Sequence, residues 1–446
     1  MACSSIRTVR YPNGEIQRIQ AVTFDSWKDA EFFTPAYSER SFPLLCDLYK
    51  NYIIPRCPWI FGQLVLFRLP EDLPVPFPMD TVRFGTVADP LSAAAIAFRR
   101  AVTIIGGKPF FTDRRVQGFW SELEARDCLR ILSGYLPNTT ILPVRNTCGF
   151  LSEAAAAPAL VNSSFFTMDR FDCPSVYDAI GIPLGLQVQN GLVLSPPQYD
   201  REALLVKKDG SVSVTVPKLT DLAVTIGDLF LEPGKNTAVY SRPAFRKSPV
   251  HNGIDLVIIG SRVAAVHPGG NSYVPAAGFV LALPGGCDVP PGETVMYHGL
   301  EDVLFGIQAG NSVVIKGKKT DSFRSPFYNI RRLWSTSYPP SLYPLDYQHD
   351  RAPRIALGED GSGHPMLVWA EGAGKLHYTP GEDSCGASLS EMADLCSSLG
   401  MVNGVNLDGG GSAQILLNGR RSLLISDRGP DNREAERAVP AAILFR

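Results

Sequence analysis

Residues 401–417 read Met401-Val-Asn-Gly-Val405-Asn-Leu-Asp408-Gly-Gly-Gly411-Ser-Ala-Gln-Ile415-Leu-Leu417. An apolar run leads in, an aspartate and three glycines follow, and a second apolar run leads out. Consecutive glycines cost chain entropy on folding. The string therefore makes sense where the backbone must come close to a ligand or adopt a positive φ. N–H groups exposed in such a turn bind anions, and Ser412 adds a hydroxyl. Asp408, at a strand end, can serve as a base, a nucleophile or a metal ligand. A tight hairpin with a capping aspartate satisfies the same string, which is neither a Walker nor a Rossmann pattern.

Just upstream, Ser388 and Glu391 have the spacing of a capping box. Leu389, Met392, Ala393, Cys396 and Leu399 form one apolar helical stripe that Gly400 closes. Before that, 354–359 and 366–370 read as strands around the turn Asp360-Gly-Ser-Gly363. Downstream, 415–417, Asn418-Gly419 and 423–425 read as a hairpin on a type I′ turn. Further strands are expected at 185–193, with a turn at Asn190-Gly191, and at 204–216, folded on Asp209-Gly210. Others fall at 256–259, 279–283 and 313–315.

Before residue 150 the texture differs. Helices are expected at 41–54, from Asp89-Pro90 to Gly106-Gly107, and over 121–132, with a proline-rich extended linker at 66–78. The expected fold class is α+β: a mixed or antiparallel β-sheet core with flanking helices, preceded by a partly helical N-terminal region. The expected division is an accessory region, 1–150, and a main domain, 151–446.

Composition narrows the function classes. The chain has 446 residues, 45% hydrophobic and 19% charged, which excludes a disordered chain. Forty-two basic and 44 acidic residues leave a formal charge of −2, which argues against a general nucleic-acid or anionic-membrane binder. No apolar run is long enough for a transmembrane helix. The first residues carry no apolar leader, and nine scattered cysteines form no CxxC pair. These features set the expectation of a cytoplasmic, reduced chain with no membrane or nucleic-acid partner. The sequons at Asn138 and Asn162 are read as chance matches.

The string Asn406-Leu-Asp-Gly-Gly-Gly-Ser-Ala413 resembles the signature of the phosphodiester glycosidase family. Other segments resemble that family in the same order. They are Ala159-Leu-Val-Asn162-Ser-Ser-Phe-Phe166, Ile182-Pro-Leu-Gly-Leu186 followed by Asn190-Gly191 and Ser195-Pro196, Arg354-Ile-Ala-Leu-Gly358, Ser388-Leu-Ser-Glu-Met-Ala393 and Arg437-Ala-Val-Pro440. The resemblance covers roughly two thirds of the chain. It departs at Ser163-Ser164, where the family has Gly-Gly, and at Ile355, where the family has Thr.

The resemblance implies a hydrolase that cleaves the glycosidic C1–O bond of an N-acetylglucosamine-1-phosphodiester-like substrate, releasing the sugar and a phosphomonoester. Such chemistry needs an anion clamp, a group that helps water reach C1, and stabilisation of an oxocarbenium-like transition state. The implied roles give Asp408 the carboxylate near C1, Gly409, Gly410 and Gly411 the close backbone approach, and Ser412 a hydrogen bond. Arg354 and Arg437 become phosphate clamps, since a guanidinium holds two oxygens at once. Asn162 becomes the amide that orients sugar or phosphate. The partner implied is a sugar-phosphate or glycan substrate, and no cofactor is expected, a divalent cation being the one open alternative. Two rivals stand beside this reading: a non-catalytic binding or structural module on the same fold, and a phosphodiesterase that breaks P–O.

Other features are weaker. None of the six histidines has metal-ligand spacing, although His364 and His377 could carry a proton. Lys316, Lys318, Lys319 and Arg324 read as a solvated basic loop. Trp334, Tyr338 and Tyr343 suit either a sugar platform or packing under a proline-rich loop.

Overall fold

A computed structural model of the chain describes residues 3–33, 65–68, 78–83, 108–109, 116–119, 140–145, 151–153, 158–166, 182–242, 244–308, 312–319, 351–373, 378–428, 433–437 and 439–446. Contacts divide the chain into two units. One joins Met1–Pro35, Phe150–Phe165 and Pro183–Arg446; the other joins Ala36–Gly149 and Phe166–Ile182. The boundary expected at residue 150 and this grouping differ over the first 35 residues and over 166–182.

The first unit is built from antiparallel sheets. A seven-stranded sheet runs in the order Cys3–Arg10, Ile16–Thr23, Pro365–Ala370, Arg354–Asp360, Met401–Asn406, Ser312–Ile315, Lys318–Lys319. A five-stranded sheet runs Arg420–Arg421, Ile415–Leu417, Ala159–Asn162, Ala442–Phe445, Ala30–Phe33. A second five-stranded sheet contains Ala203–Lys207 and Val303–Ile307, and smaller sheets lie between residues 223 and 298. The strand period of two explains how these layers stack. Along Arg354–Asp360, Ile355 and Leu357 point into one core while Ala356 points into another. Along Pro365–Ala370, Leu367 and Trp369 share the first core, and Met366, Val368 and Ala370 share the second. The first core also takes Val161, Ile443 and Phe445, and from the other five-stranded sheet Leu204, Val206 and Phe305. The second is closed by the Leu389–Ser398 helix through Met392, Ala393 and Cys396. Both faces of these central strands are covered, so they read as continuous apolar runs.

The expected α+β class is therefore corrected. Among the described residues there is one α-helix, Leu389–Ser398, and the remaining architecture is mostly antiparallel β-sheet, not a sheet flanked by helices. The physical reason is that sheets, rather than helices, cover most sheet faces here. The helix itself starts as its sequence dictates: Ser388 Oγ accepts from Glu391 N at 3.2 Å and Glu391 Oε2 accepts from Ser388 N at 2.9 Å. The turns at Asn190-Gly191 and Asn418-Gly419 take the positive φ values that a type I′ turn requires. The strand expected at 423–425 is replaced by a two-residue return strand, Arg420–Arg421; Leu423 and Ile425 turn inward to the core instead.

In the second unit the described strands form one sheet in the order Lys108–Pro109, Val116–Phe119, Val65–Arg68, Pro78–Arg83, Thr140–Arg145. Two of these strands fall at the ends of the expected 66–78 linker. The helices expected at 41–54, 90–105 and 121–132 lie outside the described residues, as do His377, Arg324, Trp334, Tyr338 and Tyr343.

Candidate active site

The Met401–Asn406 strand, interior to the seven-stranded sheet, delivers Asp408 just past its own end, where Leu407 N still bonds Ile355 O at 2.8 Å. Asp408 N then donates to Ser163 O at 3.0 Å, so the chain leaves one sheet and joins the end of the Ala159–Asn162 strand of the other. Asn162 fixes this junction. Its Nδ2 donates to Asp408 O at 2.7 Å, and its Oδ1 accepts from Gln414 N at 3.1 Å. The amide expected to orient a ligand thus braces both ends of the glycine turn.

Each glycine of the turn has its own reason. A Cβ on Gly409 would lie 2.7 Å from Pro353 O and 3.8 Å from Arg354 Cδ. Gly410 has φ +59°, and its N–H donates to Pro353 O at 2.9 Å. A Cβ on Gly411 would overlap both carboxylate oxygens of Asp427. The turn continues as a single 3₁₀ turn, Gly410–Ser412.

Asp408 is buried, and burial raises its carboxyl from the usual range to about 6. The adjacent Ser412 hydroxyl, the Arg437 charge and the Gly409 N–H pull it back down, while the Asp427 charge pushes it up. Arg437 donates to Asp427 through Nε, at 2.9 Å to Oδ2, and through the terminal nitrogen, at 3.0 Å to Oδ1. This is a two-point ion pair beside the glycine turn. Arg354 is buried, passes alongside Gly409 and donates Nε to Ala387 O at 3.1 Å. The hydroxyls of Ser163 and Ser412 are buried without a well-aligned hydrogen-bond partner. Ser164 is engaged, its Oγ accepting from Gln187 Nε2 at 2.8 Å.

Asp408, Asn162, Arg354, Gly409, Gly410, Gly411, Ser412 and Arg437 thus meet around one turn. Sequence reading missed Pro353, Gln414 and Asp427. Asp427 pairs with an arginine ten residues on, and no local spacing rule marks such a pair. Lys318 and Lys319 sit exposed on an edge strand, and Lys319 pairs with Asp394. His364 lies at the Asp360 turn, 3.5 Å from that carboxylate. Among the described residues, no group of three His, Cys, Asp or Glu side chains has metal-holding geometry. No helix among them is long and apolar enough to cross a membrane.

The phosphodiester glycosidase family model matches residues 155–446, a span that includes every side chain named at this turn. The N-acetylglucosamine-1-phosphodiester alpha-N-acetylglucosaminidases of Homo sapiens and Mus musculus are each 38% identical to this chain over 79 residues. Those residues are 18% of this chain and 14% of the relatives' length. Among solved structures, a hypothetical protein from Synechocystis is 16% identical, with a TM-score of 0.40 over 99% of this chain and 80% of that one. The catalytic domain of the zebrafish N-acetylglucosamine-1-phosphodiester alpha-N-acetylglucosaminidase, auto-inhibited by its pro-peptide, is 12% identical, with a TM-score of 0.38 over 100% and 83%.

Proposed function

The chain belongs to the phosphodiester glycosidase family, and from that premise we propose that it hydrolyses a sugar-1-phosphodiester at the glycosidic C1–O bond. The substrate class is an N-acetylglucosamine-1-phosphodiester, after the activity for which the human and mouse relatives are named. The observation that carries the reading is the buried Asp408 carboxyl, raised to about 6, at the head of a glycine turn beside Arg437.

A carboxyl of that kind suits a base working near neutrality. Above about pH 6 Asp408 is ionised and takes a proton from water as the water oxygen bonds to C1. The C1–O bond breaks, its electron pair leaves with the phosphate oxygen, and a phosphomonoester departs. The ionised carboxylate also stabilises the positive charge that grows on the sugar ring. Arg437 and Arg354 hold the phosphate oxygens, and Ser412 offers a hydroxyl donor. Phosphate is a good leaving group, so the mechanism requires no strong general acid. Asn162 acts through the backbone, keeping Asp408 and Gln414 in register.

The test is sugar release from the methyl phosphodiester of N-acetylglucosamine-1-phosphate by the wild type and by Asp408→Asn. The expected result is release by the wild type and a loss of about a hundredfold or more in the variant. Equal rates would remove Asp408 from the mechanism. Binding without release by either protein would favour a binding module on the same fold.

A further inference from the structure

We propose that Asp427 is the residue that makes this site select a phosphodiester, with one negative charge, over a phosphomonoester, with two. The inference rests on the function proposed above and concerns the same turn.

The Asp427 carboxylate is held between Arg437 and Gly411. Its oxygens accept from Arg437 at 2.9 and 3.0 Å, and its face packs on Gly411, leaving no room there for a single added carbon. The loop that carries it is pinned as well. Leu424 N donates to Glu371 Oε2 at 2.8 Å, and Ile425 N donates to Glu434 Oε1 at 2.9 Å. Asp427 O accepts from Ala435 N at 3.0 Å and from the Arg428 guanidinium at 3.1 Å. The backbone that carries the carboxylate is thus fixed, and the carboxylate cannot swing away from the turn without breaking both hydrogen bonds to Arg437.

Asp427 and Arg437 both stay partly accessible. An anion that approaches the glycine turn meets the guanidinium and the carboxylate together. Arg437 attracts it, Asp427 repels it, and the two unit charges nearly cancel at a distance. Coulomb repulsion scales with the charge of the ligand. A diester carries one unit; a monoester above its second pKa, near 6, carries about two. Attraction to Arg437 and repulsion from Asp427 both double for the monoester, so with Asp427 in place the pair gives the second charge almost nothing, whereas a lone Arg437 would reward it; Asp408, ionised at the same pH, adds repulsion. The same device expels the phosphomonoester that C1–O cleavage produces. The charge of Asp427 acts on this site even in the free protein, since it pushes the Asp408 carboxyl upward.

The test is calorimetric binding at pH 8 of two ligands, N-acetylglucosamine-1-phosphate and its methyl diester. The proteins are Asp408→Asn, which stops turnover, and Asp408→Asn with Asp427→Asn. Asparagine keeps the volume against Gly411 and removes the charge. Relative to the first protein, the second is expected to shift the monoester-to-diester affinity ratio by about tenfold towards the monoester, by tightening the monoester. If both affinities fall together and their ratio holds, Asp427 only packs the turn and the proposal is overturned. If the first protein binds neither ligand, the reading of the site itself falls, and this one with it. Should the double variant not fold, Asp408→Asn with Asp427→Ser, smaller and also uncharged, replaces it; the same shift of the ratio is expected, and an unchanged ratio overturns the proposal.

Discussion

Asp408 keeps its carboxyl largely out of bulk water, and the three groups that favour its ionised form offset burial only in part. A pKa of about 6 in the folded chain, against about 4 in the unfolded one, means that the folded state binds more protons between those pH values. Stability therefore falls as pH rises through that window. The cost is absent below about pH 4 and complete above about pH 6, where a shift of about two units corresponds to about 3 kcal/mol. Asp408→Asn is accordingly expected to stabilise the protein at pH 8 by an amount approaching that figure and to give little gain at pH 4. Urea unfolding at the two pH values checks this, and an equal effect at both would show that the carboxyl is not destabilised by burial. A residue that costs stability while sitting at a glycine turn is the pattern expected of a working group. It was singled out in the sequence because an aspartate before three glycines suits a close ligand approach as well as a tight hairpin, and the family resemblance favoured the former. Its partner Asp427 was not legible. Only the folded loop brings that carboxylate onto Gly411, and nothing in the string Ile425-Ser-Asp-Arg428 announces it.

The glycine turn is the element that joins two sheets, and close contact sets its tolerance. A methyl group at 411 would enter the Asp427 carboxylate, which Arg437 holds in place. Gly411→Ala is expected to cost about 2 kcal/mol or more and to break the Asp427–Arg437 pair. A thermal melt together with the ligand calorimetry reads both effects. An unchanged melt and unchanged binding would show that the loop yields freely. Elements governed by local rules were legible in the sequence alone. The capping box at Ser388 and Glu391 starts the helix, and Asn418-Gly419 turns the chain after Leu417. The return strand was misplaced because Leu423 and Ile425 look like strand residues, yet the first core recruits them. Tertiary burial overrode local pattern there.

Across the molecule, the early chain completes the sheets that hold the site. Ile16–Thr23 pairs along Pro365–Ala370, with Thr23 opposite Met366, and Ala30–Phe33 pairs along Ala442–Phe445. Phe24 stacks on Phe445 with ring centroids 3.9 Å apart, and Trp27 stacks on Phe305. Val22, Phe24, Trp27 and Ala30 all belong to the first core. Arg351 adds polar ties, to Glu15 at 2.6 Å and to the helix residue Glu391 at 2.6 Å. Removing residues 1–33 is therefore expected to abolish cooperative folding, although the family match begins only at residue 155. A truncated protein with a sharp melting transition like that of the full chain would contradict this. These pairings were invisible in the sequence because they span more than three hundred residues and obey no spacing rule. The α+β expectation failed for a related reason. Apolar strands with both faces buried do not say whether helices or further sheets cover them, and here most of the cover is sheet.

The function proposed for the site turns on cleavage at C1–O, with Asp408 directing water to the sugar. Hydrolysis of the methyl phosphodiester of N-acetylglucosamine-1-phosphate in ¹⁸O-labelled water, with mass analysis of both products, decides it. Attack at C1 puts the label on the sugar and leaves the phosphomonoester unlabelled, which is the expected result. Label in the phosphate would mean attack at phosphorus and would contradict the proposed mechanism.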